Sequence, residues 1–340
     1  MRTPRFKIAS HVSPAIYHCM SRTVNGERYL DDTAKEILRK QLWQIAEFCG
    51  VQILTYAIMA NHFHVLVRVP QKSTPDDREL LRRFHVLYPK PNAYQTFRIE
   101  TIAEHLKNND NDHATAAWRK QQLALMGDVS QFMKLLKQRF SIWFNRTHNR
   151  FGPLWSDRFK SVLVEGRGNV TATMSAYIDL NPVRAGLVND PKDYRFCGYS
   201  EAVGGNKTAQ AGIATVIDTT SGNTTEKTRA TWQAARESYR VMLFGAGAAT
   251  RANKASITPE TLAKVVEENG TLPLSTVLRC RIRHFTDGAV LGTKAYVAAQ
   301  LATYRRRTGQ RARTRPRPLP NVTEWGDIAT LRGLRKKAFA

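Results

Sequence analysis

The chain is 340 residues long, and its hydrophobic share of 42% excludes a wholly disordered protein. Its 52 lysines and arginines against 28 aspartates and glutamates give a net charge of +24, so we expect a polyanionic partner, most often a nucleic acid. The sequence has no run of 18 apolar residues and no apolar signal-peptide core. We therefore expect a soluble cytoplasmic protein, associated with the nucleoid.

The first 202 residues form the first predicted domain, in which a β-α-β-β order continues into helices and one more strand. Strands are predicted at 14–24, 51–59, 62–69 and 154–166, and helices at 31–49, 130–147 and 170–180. Residues 71–128 are interpreted as an insertion of short helices and loops. This order is typical of an α+β fold with a ferredoxin-like antiparallel sheet and helices on one face.

The helix at 31–49 carries its own boundary signals. Asp31 or Asp32 is predicted to cap its N-terminus, and Gly50 is predicted to end it.

The rest of the chain divides into three predicted parts. Residues 203–226 are rich in Gly, Thr and Asn and predict a linker. Helices predicted at 228–243, 258–270 and 292–307 make 227–304 a mainly helical accessory region. Residues 305–340 carry many arginines interrupted by prolines and predict a basic tail, either an extended arm or a mobile end.

Two histidines, His62 and His64, are predicted to lie on one face of the strand at 62–69. Because strand side chains alternate, Phe63, Val65 and Val67 face the other way and can pack against helices. The two imidazoles are spaced to share one metal ion. Two ligands suit a catalytic ion with open positions better than a structural zinc site, which needs four. Packing or hydrogen-bonded histidines are the alternative for this motif.

Tyr177 and Asn181 are four residues apart, a spacing that makes side chains neighbours on one helical face. A phenol becomes a useful nucleophile where a substrate phosphate is polarised by a cation. The amide oxygen of Asn181 is a ligand type that hard divalent ions accept. The alternative is a packed tyrosine and an asparagine that ends the helix before Pro182.

The two motifs together, NHFHVLV at 61–67 and YIDLNPVRAGLV at 177–188, resemble the single-tyrosine HUH transposases of insertion sequences. The resemblance is closest to the REP-associated tyrosine transposases. It implies His62 and His64 as metal ligands, Tyr177 as nucleophile, and Asn181 as a third ligand where many family members carry Gln or Glu. It also implies Mg²⁺ or Mn²⁺ as the ion.

The same resemblance implies a DNA transposase that cleaves and rejoins single-stranded DNA by transesterification through a 5′-phosphotyrosine. The implied partners are single-stranded DNA or DNA hairpins, and a second copy of the chain in a homodimer, with a monomer as the alternative. Basic and aromatic residues near the motifs are predicted to contact DNA, although a solvated charge or a core aromatic is the other interpretation of each. They are Arg68, Lys134, Arg139, Trp155, Arg158, Lys160 and Arg184.

Three other functions stay open from the sequence. The first is a regulator that binds DNA hairpins without cutting them. The second is a replication initiator or relaxase-type nickase, which shares the histidine pair, although the P-loop of an attached helicase is absent from this sequence. The third is a metal-dependent hydrolase that uses water in place of Tyr177 and would turn over without a covalent adduct.

Overall fold

The fold is given by a computed structural model that describes most of the chain. The residues described are 5–8, 12–71, 74–90, 93–107, 113–221, 231–244, 284–308, 315–319 and 326–331. The strands are β1 (Ala15–Arg22), β2 (Gln52–Ile58), β3 (His62–Val69), β4 (Lys160–Val164), β5 (Val290–Thr293), β6 (Arg317–Pro318) and β7 (Ile328–Leu331).

The helices of the described residues fall into three groups along the chain. Those of the first 150 residues are α1 (Asp32–Cys49), α2 (Asp77–Leu87), α3 (Ala93–Lys107), α4 (His113–Leu123) and α5 (Val129–Thr147). Those around the second motif are α6 (Asn169–Asp179), α7 (Asn181–Arg184), α8 (Gly198–Val203) and α9 (Lys207–Ser221). The last are α10 (Trp232–Phe244), α11 (His284–Asp287) and α12 (Lys294–Thr308). None of the described helices is long and apolar enough to cross a membrane.

The first four strands confirm the ferredoxin-like prediction. β1 lies between β3 and β4 and β2 flanks β3, all antiparallel, which gives the order β2-β3-β1-β4. Helices α1 and α5 are the two crossovers of this unit. The boundary signals of α1 are also confirmed, since the Asp31 side chain accepts a hydrogen bond from the Ala34 amide at 2.7 Å. Gly50 ends the helix in the left-handed conformation, with φ of 64°.

The sheet has helices on both of its faces. On one face, Trp43 of α1 packs edge-on against Tyr56 of β2, with ring centroids 6.2 Å apart. On the other, the neighbouring residue Thr55 donates a 2.7 Å hydrogen bond to Asp179 at the end of α6. Because side chains alternate along β2, α1 and α6 lie on opposite sides of the sheet. Helices α1 and α5 thus lie on one face of the sheet, as the ferredoxin-like layout predicts. Helix α6 covers the other face, which carries the histidines.

The segment 203–226 is not the linker that its composition predicts, because α9 occupies residues 207–221. Ile213 and Val216 of α9 are fully buried. Gly212 has a packing role, since an added Cβ there would lie 2.6 Å from the Ile53 carbonyl oxygen of β2. Small residues here allow a helix to approach the sheet closely. Residues 222–226, and the helix predicted at 258–270, lie outside the described residues.

The C-terminal region adds strands as well as helices. β5 pairs with β4 in parallel, and β7 and β6 follow in antiparallel pairings, so the sheet has seven described strands. The tail at 305–340 is therefore not simply an extended arm. Its first residues continue α12 to Thr308, and its Ile328 and Leu331 are buried in β7. Apolar residues in the tail favour pairing with the sheet.

The insertion at 71–128 forms α2, α3 and α4, as the prediction of short helices requires. Leu80 and Leu87 of α2 are buried, and α2 packs against α1. Trp118 of α4 is buried with its ring 6.0 Å from that of Phe84. The insertion therefore extends the helical layer on the side of α1, away from the histidine face.

Candidate active site

A cleft of about 500 Å³ opens on the histidine face of the sheet, bounded by α6, α7 and α11. Four of the residues singled out in the two motifs meet there, although the motifs are far apart in the chain. The lining residues are Met20, Arg22, Met59, His62, His64, Ser156, Lys160, Tyr177, Asn181, Arg184, Ala185, Thr286 and Asp287.

His64 is held by a chain of buried hydrogen bonds that starts at a backbone carbonyl. The Phe285 carbonyl oxygen lies 2.8 Å from Nδ1 of His18, and Nε2 of His18 lies 2.8 Å from Nδ1 of His64. A carbonyl oxygen can only accept, so in neutral His18 Nδ1 donates and Nε2 accepts. Nδ1 of His64 must then be the donor to His18. The lone pair of His64 therefore lies on Nε2.

His62 has the same tautomer as His64, and the neighbouring residue Asn61 sets it. The Asn61 side-chain amide donates to the Gly26 carbonyl oxygen at 2.8 Å, which turns its Oδ1 toward His62. Nδ1 of His62 lies 2.7 Å from that oxygen and donates to it. Its lone pair is therefore on Nε2 as well. The rings of His62 and His64 are 5.2 Å apart and nearly perpendicular.

Burial keeps the inner histidines neutral. It lowers the pKa of His18 to about 4, against the raising effect of the hydrogen bond to Phe285 and with a further lowering by the charge of Arg184. It also holds the pKa of His64 well below its ordinary value, and the neighbouring His18 and His62 lower it further. A neutral imidazole with Nδ1 protonated is the form that can coordinate a metal through Nε2.

Tyr177 lies over the histidines of its own chain. Its ring is 6.5 Å from that of His64 and 4.9 Å from that of Phe285, nearly perpendicular to each. The guanidinium carbon of Arg184 lies 4.0 Å from the centroid of the Tyr177 ring. Nη2 of Arg184 also donates a 2.6 Å hydrogen bond to the Tyr177 carbonyl oxygen. The phenol is thus enclosed by an imidazole, an aromatic ring and a fixed cation.

Asp179 anchors the tyrosine helix to its surroundings. This buried carboxylate accepts hydrogen bonds from Thr55 at 2.7 Å, from the Tyr239 hydroxyl at 2.5 Å and from the Tyr199 amide at 3.2 Å. Burial raises the pKa of Asp179 to about 7, although these hydrogen bonds oppose the shift. Three elements, β2, α8 and α10, therefore fix the end of α6 close to Tyr177.

Asn181 lines the cleft as the first residue of α7, just after α6 ends. Its Nδ2 is buried and has no hydrogen-bond partner among the described residues. A buried amide without a partner is uncommon in proteins and is costly. Asn181 therefore has an amide available for a bound group in the cleft.

Residues 11–78 match the family model described as "Transposase IS200 like". This segment is similar to the IS200-like transposases. The match covers β1 to β3 with both histidines and ends ahead of Tyr177, and it confirms the family resemblance carried by the motifs.

No curated protein matches the chain. Among solved structures, the chain is similar to a REP-associated tyrosine transposase bound to a REP hairpin, with 13% identity and a TM-score of 0.37. The similarity covers 60% of this chain and 87% of that one.

Among the described residues, the pair His62 and His64 is not part of a larger set of His, Cys, Asp or Glu ligands. In the part of the chain that the structure describes, no group of three or more His, Cys, Asp or Glu side chains is arranged to hold an ion. His18 is the nearest third histidine, but it bonds to Nδ1 of His64. A metal ion in the cleft would therefore need His62 and His64 together with oxygen ligands.

Three residues predicted to contact DNA lie on the histidine side of the sheet. Lys160 and Arg184 line the cleft, and Lys160 is exposed with its Nζ 3.2 Å from a carboxylate oxygen of Asp287. Arg68 pairs with Ile16 in the register that also pairs His64 with Met20, so it shares the histidine face as predicted. It does not line the cleft.

The other four lie elsewhere. Lys134 is exposed on α5, and Arg139 of α5 donates to the Leu87 carbonyl at 3.1 Å, so both belong to the opposite side of the sheet. Arg158 is exposed outside the cleft. Trp155 has a packing position, with its ring 5.5 Å from Phe63 and its Nε1 bonded to a backbone carbonyl of α5. Their DNA contacts stay predictions.

His18 and Phe285 are among the residues of the site that were not predicted from the sequence. A lone histidine such as His18 carries no motif, and only the pairing of β1 with β3 brings it beside His64. Phe285 is fully buried and enters from the C-terminal region through the pairing of β5 with β4. Alternation along β1 could have placed His18 on the cleft face with Met20, once the register was known.

Proposed function

We propose that this protein is a DNA transposase that cleaves and rejoins single-stranded DNA through a covalent 5′-phosphotyrosine at Tyr177. One observation carries the proposal. Tyr177 lines the same cleft as His62 and His64. Hydrogen bonds at Nδ1 of both histidines place their lone pairs on Nε2. The arrangement supports a nucleophile acting beside a cation site, and the segment that carries the two histidines is similar to a transposase family.

The donor set fits a divalent cation such as Mg²⁺ or Mn²⁺. Two neutral imidazole nitrogens from His62 and His64 leave open positions for oxygen ligands. Asn181 would supply one through its amide oxygen, and its Nδ2, a donor that lacks a partner among the described residues, suits an oxygen of a bound phosphate and not the cation. A cation at this position would withdraw electrons from the scissile phosphate and stabilise the charge that builds up on its oxygens.

The reaction needs no energy-rich cofactor. The phenol oxygen of Tyr177 forms a bond to phosphorus as the bond to the 3′-oxygen breaks. The phenol loses its proton and the leaving oxygen gains one, so the products are a 5′-phosphotyrosine and a free 3′-hydroxyl. Attack by another 3′-hydroxyl reverses these steps and joins a new strand. Arg184 holds a positive charge against the ring where negative charge develops.

Single-stranded DNA or a DNA hairpin is the proposed substrate. The net charge of +24 supports binding to a polyanion, and Lys160 at the cleft offers a cation for the backbone phosphates. The contacts of Tyr177 with His64 within one chain support a site that does not need a partner's tyrosine. The homodimer stays a prediction.

The test is incubation of the purified protein with labelled single-stranded DNA that contains hairpins, with Mn²⁺ or Mg²⁺, followed by a denaturing gel. We expect a metal-dependent covalent band that Tyr177→Phe and His64→Ala abolish. Tyr29→Phe is the matched control, because Tyr29 lies outside the cleft and packs against Phe144. It should leave the band unchanged.

The other possible outcomes would refute the proposed nucleophile or indicate a different function. A covalent band that persists in Tyr177→Phe would refute the proposed nucleophile. Metal-dependent cleavage without any adduct would indicate a hydrolase that uses water. Tight binding of hairpins without cleavage would indicate a regulator that does not cut.

A further inference from the structure

We propose that residues 285–287, which lie far from both motifs in the chain, complete the active site, with His18 as a positioning residue that sets the tautomer of His64. The inference rests on the proposed function for its consequence in catalysis. Its structural part, the transmission of a tautomer from the Phe285 carbonyl to His64, stands by itself.

The first step is that, with both buried imidazoles neutral, only one arrangement of protons satisfies the hydrogen bonds. If His18 carried its proton on Nε2, its Nδ1 lone pair would face the Phe285 carbonyl oxygen at 2.8 Å. If His64 carried its proton on Nε2, two lone pairs would face each other at 2.8 Å. Both contacts are buried, with His18 only 1% exposed, so water does not relieve either conflict.

The second step is that the tautomer decides what His64 can bind. With Nδ1 protonated, Nε2 has the lone pair that a cation requires. With Nε2 protonated, the same nitrogen presents a hydrogen to the cleft and cannot coordinate. His18 does not line the cleft itself. It acts through His64.

The third step is that the same segment also contacts the nucleophile. The Phe285 ring lies 4.9 Å from the Tyr177 ring and nearly perpendicular to it. Thr286 and Asp287 line the cleft. The pairing of Val290 with Leu163 joins this segment to β4, next to β1 and His18. One segment thus supports both the nucleophile and a proposed ligand, which gives the C-terminal region a direct part in the site.

The experiment measures the imidazole tautomers of the full-length, ¹⁵N-labelled protein by ¹H–¹⁵N NMR, without metal or DNA. We expect His64 to be protonated on Nδ1 in the wild type. His18→Gln keeps an acceptor near the position of Nε2 and should retain that tautomer. His18→Phe removes the acceptor and should convert His64 to the Nε2-protonated form. Val164→Ala, in a buried residue outside the cleft, controls for lost packing.

A second readout is Mn²⁺ affinity, measured by electron paramagnetic resonance on the same variants. We expect His18→Phe to bind Mn²⁺ about 10- to 100-fold more weakly, as is typical when the hydrogen-bond partner of a ligating histidine is lost. His18→Gln and Val164→Ala should bind within about threefold of the wild type, since neither removes the acceptor. Wild-type Mn²⁺ affinity in His18→Gln but not in His18→Phe would separate a positioning role of His18 from a packing role.

The outcomes distinguish this inference from the proposed function. If His64 keeps its Nδ1 proton in folded His18→Phe, the inference is overturned, whatever the protein does to DNA. If the tautomer changes as expected but the wild type forms no DNA adduct, the proposed function fails and the positioning role stands. Should His18→Phe not fold, His18→Asn gives the same comparison, because its amide keeps a donor for Phe285 but is too short to place an acceptor at the position of Nε2.

Discussion

Arg184 holds the one cation seen against the Tyr177 ring among the described residues, and we predict that its loss slows covalent attachment to DNA. Its guanidinium carbon is 4.0 Å from the ring centroid, and Nη2 bonds to the Tyr177 carbonyl oxygen at 2.6 Å. Arg184→Gln removes the charge and the stacking. Arg184→Lys keeps a charge but lacks the planar group that stacks and donates at the same time.

The magnitude follows from the two contacts. A cation over an aromatic ring in a desolvated site contributes roughly 1–2 kcal/mol. If this amount is expressed as negative charge develops on the phenol oxygen, Arg184→Gln should slow adduct formation by about 5- to 30-fold. The hydrogen bond from Arg184 to the Tyr177 carbonyl oxygen is the same before and after the reaction, so it contributes to stability and not to the rate. Its loss should lower the free energy of unfolding by about 1–3 kcal/mol.

The assay is single-turnover adduct formation at saturating Mn²⁺, with urea unfolding of each variant in parallel. Arg184→Lys should fall between the wild type and Arg184→Gln in rate. Reaction of Arg184→Gln at the wild-type rate, in a protein that is folded under the assay conditions, would refute the idea that this cation assists the nucleophile.

Two further predictions concern the fold. In Asp128, burial raises the pKa, but the Lys7 ion pair and the amides of α5 outweigh it and lower the pKa overall. Asp128→Asn keeps the helix cap, and above the ordinary aspartate pKa it should lower the free energy of unfolding by about 1 kcal/mol or less. Chemical denaturation should show this difference between wild type and variant disappear as the pH falls through the lowered pKa. In α9, Gly212→Ala should lower the free energy of unfolding by about 1–3 kcal/mol or more, because its Cβ meets β2, while the exposed Ala211→Ser should not. Equal urea midpoints for the two α9 variants would contradict close packing of that helix.

Local patterns were sufficient for the central part of the fold. The caps Asp31 and Gly50 lie within a few residues of the backbone groups that they satisfy, so the sequence alone determines the bounds of α1. Alternation along β3 likewise places His62 and His64 on one face in any register. The family motifs then connected this pair with Tyr177, which lines the same cleft.

Composition misled where packing decided the outcome. The Gly-, Thr- and Asn-rich segment at 203–226 has the composition of a linker, yet its residues 207–221 form a helix that packs closely against β2. Trp155 was predicted to contact DNA, with a core aromatic as the alternative, and its ring lies 5.5 Å from that of Phe63, so its DNA contact stays a prediction. A small or aromatic residue has the same local signal in either setting, and only its neighbours in space distinguish them.

The sequence by itself determined which side chains could carry chemistry, namely the histidine pair, Tyr177 and Asn181. Only the tertiary structure decided how they are held. The contact between His18 and His64 joins residues 46 positions apart, and that between His18 and Phe285 joins residues 267 positions apart. Such hydrogen bonds exist only after the strands have paired and the chain has returned to β4, because proton positions depend on partners that no local pattern identifies.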